Sequence, residues 1–562
     1  MSTSTFRRLT SRSLPLFTAS ALSFTLYTVH TQYSPLLSEA PDSFSSIKKQ
    51  KGSSVVAAPF ATYGWGSNKN LTLFPDGQIT NVKKPLPLTQ LGNTPLRDVV
   101  LADEYGACVD ARGDLWMWGK GYDPSGEIGK SLKGKSLKTL APGTHKLFAL
   151  SKHGQLYVLP TSKSLQLDRQ DKLTQTWWSY LFSTDPGVDF IELQASGGLK
   201  WGEKWIDVSV GKNHLLAITN KGRTFSLPLN EKGNSHRQLG TKQEFELPII
   251  PKTILGEIFE SDKDIRFNNN NSGILTEIQS LKNISIVQCS ASERTSFVRT
   301  KNGLILGFGA NENGQIGLGS TSSVDIIPVP VEVVLAKSYP SGTKIECIDI
   351  KSGGLTTFFT IKRFFPGRQG TFVDVLGCGS GISGALGTGM YTSATGMPVR
   401  VKTISGLQEY SEKAKTFLPI GIHNLSISPS LNTHVYATLD TVTLADEKGV
   451  KEGRYGKDVM AWGANVDYQI GNGKRSSTAI PQHLPPIGGK INVIEALSGT
   501  PKEEENLSSG TQSPMPHSRL QLHVRKANAY DLNGKLIKRK VKCEETMVAG
   551  HNASVLYNKI ID

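Results

Sequence analysis

The chain has 562 residues, a formal net charge of +15 and 56 glycines, about one residue in ten against a usual ~7%. Its length exceeds what one compact core usually holds, so it excludes a simple small domain and favours either several domains or an architecture that grows by repetition. Five cysteines (Cys108, Cys289, Cys347, Cys378 and Cys543) are dispersed with no CxxC pair, which speaks for reduced thiols and against a disulfide framework or a zinc site.

The first fifty residues differ from all that follow. Arg7, Arg8 and Arg12 sit among serines and threonines, and no acid precedes Glu39. That composition predicts a mitochondrial transit peptide, since import across an energised membrane favours positive charge. Leu14 to Val29 is apolar but, at sixteen residues, shorter than the ~20 that span a bilayer; reaching Leu37 requires His30, Gln32 and Pro35. A secretory signal and an inner-membrane anchor are the rival readings of the same stretch. Residues 1–52 are therefore expected to be presequence, with or without an anchor, ending in a polar linker at Pro41 to Lys51.

From Tyr63 onward a short core recurs: an apolar or aromatic residue, any residue, another apolar residue, then Gly or Pro. The copies are Tyr63 to Gly66, Trp116 to Gly119, Tyr157 to Pro160, Phe225 to Pro228, Leu306 to Gly309, Leu376 to Gly379 and Met460 to Gly463, with starts 53, 41, 68, 81, 70 and 84 residues apart. Four carry a further glycine three residues earlier, at Gly113, Gly154, Gly222 and Gly303, preceded by another strand-like run such as Leu215-Leu216-Ala217-Ile218. The unit is strand, tight turn, strand, glycine-rich loop. Strands at a period of tens of residues, with no helical periodicity, predict an all-β radial repeat, a β-propeller. The first core lacks the usual lead-in strand, whereas Val548 to Tyr557 has the lead-in and no core after it. The two halves complete one unit, so the C-terminal strand is expected to pair with the N-terminal segment and close the ring, removing exposed sheet edges.

The longest copy, Gly307 to Gly319, and the stretch Trp462 to Gly473 resemble the repeat of the regulator of chromosome condensation family; Gly377 to Gly389 and Trp118 to Gly129 are weaker matches. The resemblance covers most of residues 60–562 and implies a seven-bladed propeller with four-stranded blades. The founding member of that family is an exchange factor for a small nuclear GTPase and binds chromatin. The basic N-terminus points away from the nucleus, and the nearer resemblance is to fungal mitochondrial members, which implies a role in assembly of the cytochrome bc1 complex (complex III) at the inner membrane.

Polar insertions are expected near 162–203, 229–288, 440–458 and 498–518 within a propeller domain of residues 53–562. The first contains Trp177 and Trp178, together with Trp201 and Trp205. These tryptophans either form a protein-contact surface or cover the core of their own blade. Asn268 to Asn271 and Pro501 to Pro516 read as low-complexity loops. Arg519 to Lys542 then holds eight basic residues against one acid, Asp531, with an Asn-Gly hairpin turn at Asp531 to Gly534. Arg525, Lys526, Lys535, Lys538, Arg539, Lys540 and Lys542 are the candidate contacts for an anionic partner, RNA phosphates or lipid headgroups; the alternative is a solvated edge whose lysines block aggregation.

No GxxxxGK[ST], HExxH or GxSxG motif occurs, and Gly307 to Gly319 runs on to Pro328 and Pro330 without opening a helix. His214 has Tyr105, Lys146 and Thr295 at the same offset in other units, so a turn hydrogen bond explains it better than catalysis. Asp207 and Asp349, which head comparable strands, are read as structural. No catalytic, cofactor-binding or metal-binding residue is assigned. The expectation is a non-enzymatic mitochondrial scaffold of the inner membrane or matrix, with respiratory-complex subunits or assembly factors as partners. The alternatives are an exchange factor or effector of a small GTPase, and a mitochondrial ribosome or RNA-associated factor.

Overall fold

The computed structural model describes residues 54–561 except 57–58, 168–187, 189, 242–273, 320–323, 365–370, 412–414, 442–455, 488–489 and 499–518. Seven sheets of antiparallel strands succeed one another along the chain, each built around one recurring core. Blade 1 comprises Asp98–Leu101, Gly106–Val109, Leu115–Trp118 and Gly129–Lys130; blade 2 comprises Leu137–Pro142, Lys146–Ser151, Leu156–Pro160 and Ile191–Glu192. Blade 3 comprises Trp205–Val210, His214–Thr219, Thr224–Pro228 and Ile274–Glu277, with Gln194–Ala195 added in parallel at its edge. Blade 4 comprises Ile286–Ala291, Thr295–Thr300, Ile305–Ala310 and Ile326–Glu332; blade 5 comprises Lys344–Gly353, Thr356–Phe364, Thr371–Gly379 and Thr395–Arg400. Blade 6 comprises Gly421–Ile427, His434–Asp440, Lys457–Gly463 and Thr478–His483.

Blade 7 joins the two ends of the chain. Leu536–Ala549 and Ala553–Ile560 come from the end, Tyr63–Ser67 and Asn81–Pro87 from the beginning. Tyr63 faces Leu556, Gly64 faces Val555, Trp65 faces Ser554 and Gly66 faces Ala553 across the junction. The ring is thus the expected seven-bladed propeller with the expected closure. Among the described residues two small antiparallel pairs stand outside the blades: Ser54–Val56 with Lys490–Asn492, and Gln408–Ser411 with Thr416–Pro419.

The core's closing glycine explains why the unit recurs. Gly66, Gly119, Gly309, Gly379 and Gly463 have φ between 96° and 107°, a region that side-chain-bearing residues rarely enter. At each of the five a Cβ would run into backbone at the start of the neighbouring second strand; at Gly309 it would lie 2.5 Å from the Arg294 carbonyl oxygen. In four of these blades the pairing of third and fourth strands shifts by a bulge at the same point, Gly64/Gly66, Gly307/Gly309, Gly377/Gly379 and Ala461/Gly463. The bulge turns the chain into the loop that follows. In three of these loops an asparagine replaces missing backbone partners: Asn68 Oδ1 accepts from the Leu73 and Phe74 amides, Asn311 Oδ1 from Ile316, and Asn465 Oδ1 from Ile470.

The core residues pack between successive blades. Leu150, Phe148 and Val158 of blade 2 share one apolar cluster with Leu215, Phe225 and Trp205 of blade 3. Phe297 of blade 4 packs edge-on against Phe359 of blade 5, and Phe358 of blade 5 against Trp462 of blade 6. Each blade therefore has part of its apolar surface buried only because its neighbour is present, which couples the repeats into one ring.

Candidate functional site

Two sets of polar residues stand out: those heading the second strands, read from the sequence as turn hydrogen bonds rather than catalysts, and the basic hairpin. The first set ties blades together. His214 Nε2 lies 2.8 Å from Ser296 Oγ in blade 4, and that hydroxyl donates to the Gln238 carbonyl at 2.7 Å. His434 repeats the arrangement at the closure, 2.9 Å from Ser554 Oγ, which donates to the Gln469 carbonyl at 2.7 Å. Tyr105 donates to the Gly143 carbonyl of blade 2, and Lys146 Nζ to the Leu229 carbonyl beyond the third strand of blade 3. The expected turn hydrogen bond at His214 is therefore a bond across a blade boundary. Because each serine hydroxyl is spent on a carbonyl, the imidazole must be the donor at Nε2, which leaves Nδ1 bare; neither His214 Nδ1 nor His434 Nδ1 has a partner. Full burial drives both imidazoles down to a pKa of about 3 and the Lys146 ammonium to about 8. A buried serine already donating to a carbonyl, beside a histidine with no carboxylate on its other nitrogen, has none of the geometry of an activated nucleophile.

The acids expected to be structural lie at the same boundaries. Asp207 Oδ2 accepts the Cys289 amide of blade 4 at 3.4 Å, and Asp98, which the sequence did not single out, accepts the Leu140 amide of blade 2 at 2.8 Å. Asp349 accepts from Gln288 of blade 4. From the loop side, Trp65, Trp118 and Trp462 each donate an indole N–H to a carbonyl of the preceding blade's loop, at Gln469, Thr72 and Ala385. All five cysteines are buried and unpaired, and burial raises the pKa of each thiol. Among the described residues no three His, Cys, Asp or Glu side chains are grouped to hold a metal ion, and no helix is long and apolar enough to cross a membrane.

The hairpin is present as expected. Val524–Tyr530 pairs with the first half of Leu536–Ala549, and the turn has Gly534 at φ 81° with its amide on the Asp531 carbonyl. It is clamped to blade 1: Asp531 is buried and receives Arg112 Nη2 at 2.6 Å, the Tyr530 amide bonds Thr94 Oγ1, and Ala529 and Val541 pack with Ala111 and Ile560. The seven candidate cations, Arg525, Lys526, Lys535, Lys538, Arg539, Lys540 and Lys542, are all exposed on this one hairpin. At its blade end Glu544 is held between Lys457 and His423 of blade 6. Burial works to raise its pKa, but the hydrogen bonds from those two side chains outweigh burial and hold it at about 2.

The tryptophans divide. Trp205 is buried against Phe225, with ring centroids 5.1 Å apart, as core cover. Trp201 is 98% exposed in a turn before blade 3. Trp177 and Trp178 lie outside the described residues.

The geometry has counterparts among known proteins. Residues 302–359 match the regulator of chromosome condensation (RCC1) repeat. The chain is 22% identical to the protein FMP25, mitochondrial, of Saccharomyces cerevisiae over 72% of its own length and 63% of the relative's. It is also 22% identical to the ultraviolet-B receptor UVR8 of Arabidopsis thaliana, over 58% of its length and 62% of the relative's. It thus spans somewhat under two thirds of these relatives. Of solved structures, human WBSCR16 superposes with a TM-score of 0.52 at 14% identity, covering 89% of this chain and 99% of that one. Prp20p of Saccharomyces cerevisiae superposes with 0.51 at 13% identity, covering 91% and 94%. At such identities the superpositions speak to the fold alone. The chain is a seven-bladed β-propeller that carries the regulator of chromosome condensation repeat.

Proposed function

We propose that the protein is a non-enzymatic mitochondrial scaffold that acts in assembly of the cytochrome bc1 complex, working through protein contacts on the loops of a rigid ring. The observation that carries the reading is the pairing of a closed ring, whose polar side chains are spent on holding blades together, with sequence likeness to a mitochondrial yeast protein across most of the chain. The acid-free, arginine-bearing N-terminus supports the same compartment. Loops on a rigid disc suit macromolecular recognition, and the exposed Trp201 is the kind of side chain that anchors such contacts. Cells lacking the protein should show reduced assembled bc1 complex on native gels, with unassembled subunits accumulating. Normal levels of the complex in those cells would overturn the reading.

A second reading, exchange factor or effector of a small GTPase, draws on the ring's likeness to Prp20p, which was studied for its binding to Gsp1p and histones. Accelerated nucleotide release from a mitochondrial GTPase would favour it over the scaffold.

A further inference from the structure

We propose that the hairpin formed by Val524–Tyr530 and Leu536–Ala549 is a docking surface for the anionic face of a lipid bilayer. The inference rests on the hairpin alone and stands whether or not the assembly role holds.

Most of the hairpin's cations are not neutralised from within. Its one acid near the turn, Asp531, is buried and engaged by Arg112. Glu544 is taken by Lys457 and His423, and Glu545 accepts the His523 amide and lies 3.9 Å from Arg525. Lys526, Lys535, Arg539, Lys540 and Lys542 form no ion pair with any described residue. Lys526 and Lys542 face each other directly across the ladder, an arrangement of like charges that costs stability. Two residues of one strand, Arg539 and Lys540, oppose the single Asn528 of the other, and Lys540 is held at φ 52° with its amide on Asn528 Oδ1. Repulsion and backbone strain gathered at one exposed spot mark a surface shaped for something other than stability.

Protection of an edge does not account for the pattern. Charges that block strand addition belong on the outermost strand, here Val524–Tyr530, which carries Arg525 and Lys526. Lys538, Arg539, Lys540 and Lys542 lie instead on the strand already paired with it.

The chemistry favours headgroups over nucleic acid. Five of the seven cations are lysines, hydrated point charges that attract a diffuse anionic plane, where bidentate phosphate recognition calls for arginine. Tyr530, the hairpin's one aromatic, is half-buried at the turn, so there is no platform for stacking bases. Val524 and Leu536 are 43% and 37% exposed and add aliphatic surface of the kind that settles at a bilayer interface.

The test is co-sedimentation of the full chain with phosphatidylcholine vesicles, with and without a one-third share of phosphatidylglycerol, set beside binding to polyuridylate RNA. The variant K526Q/R539Q/K542Q removes three cations from the hairpin. The control K282Q/K301Q/K402Q removes three exposed lysines elsewhere and matches its net charge. At about a factor of five per cation near the surface, the hairpin variant should lose preference for anionic vesicles about a hundredfold while the control keeps it. Equal loss in both variants, or equal binding to neutral and anionic vesicles, would overturn the proposal. So would a hairpin variant that loses RNA binding and keeps its vesicle binding.

Discussion

Lowering the pH from 7 to 5 should weaken the ring through two histidines. His214 and His434 are buried as neutral imidazoles, each donating from Nε2 to a serine and presenting a bare Nδ1 to a site with no acceptor. A proton added there creates a buried charge and an unpaired donor, so burial holds the folded pKa at about 3, against about 6.5 in the unfolded chain. For a depressed histidine the stabilisation is complete above the unfolded pKa and is lost as the pH falls from there towards the folded one. At pH 5 the unfolded histidines are protonated and the folded ones are not. Each residue then costs ~2 kcal/mol at 1.36 kcal/mol per unit, ~4 kcal/mol for the pair, against a total stability of ~5–15 kcal/mol. The pH interval lies above the carboxylate range, so Glu544 adds nothing within it. Free energies of urea unfolding at the two pH values, for the wild type and for H214Q/H434Q, isolate the effect. The glutamines can donate to the same serines and cannot titrate. The wild type should lose ~4 kcal/mol more than the variant between pH 7 and pH 5; an equal loss in both would show that the imidazoles are not held neutral by the blade interfaces.

Two backbone positions should respond in opposite directions. Gly309→Ala places a Cβ 2.5 Å from the Arg294 carbonyl at φ 103° and should cost at least ~2 kcal/mol in urea melts, whereas Arg237→Gly relieves a left-handed residue, φ 60°, and should gain ~0.5–1 kcal/mol. In blade 5 the fully buried Asp374 accepts Arg363 at 2.8 Å and the Tyr339 hydroxyl at 2.9 Å. Asp374→Ala removes the carboxylate that neutralises the buried guanidinium and should cost ~3–5 kcal/mol, while the paired replacement R363M/D374L should recover most of that loss; a mild single variant would show that the pair is solvated.

Much of the ring was legible because its signal is local. A glycine that must adopt φ near 100° cannot be replaced cheaply, so Gly66, Gly119, Gly309, Gly379 and Gly463 leave a mark in the sequence wherever the chain makes that turn. The closure was legible for a related reason: half a unit stands at each end, and Tyr63–Ser67 supplies the third strand that Leu536–Ala549 and Ala553–Ile560 lack. The loop of blade 3 escaped notice. His236-Arg237-Gln238-Leu239-Gly240 occupies the place of Asn313-Gly314-Gln315-Ile316-Gly317, with the amide of its first residue on the glutamine Oε1 in both, but Arg237 takes the left-handed position where the other loop has glycine. The Gln-Leu-Gly triplet was the available clue inside a stretch read as insertion. Likewise Leu71, at φ 56°, conceals the loop of blade 7.

The interblade bonds could not have been read from sequence. Ser296 is 82 residues from His214 and Ser554 is 120 from His434, and their meeting depends on how adjacent sheets stack. The hairpin, by contrast, announced itself through its turn and its charge. What the sequence did not convey was the bulge at Arg539 and Lys540, or the burial of Asp531 against Arg112, which takes the acid nearest the turn away from the exposed cations.

The account depends most on the two chain ends forming one blade, and its most direct measurement is thermal unfolding of a chain lacking residues 550–562. Strand Ala553–Ile560 lies between Leu536–Ala549 and Tyr63–Ser67 and buries Val555, Leu556 and Tyr557, each worth ~1.5–3 kcal/mol, besides the Ser554 bridge to His434. Without it blade 7 falls apart and blades 1 and 6 are left with open faces, so the shortened chain should lose cooperative unfolding and become sensitive to protease at ordinary temperature. A shortened chain that melts in one sharp transition at the temperature of the full chain would contradict the ring.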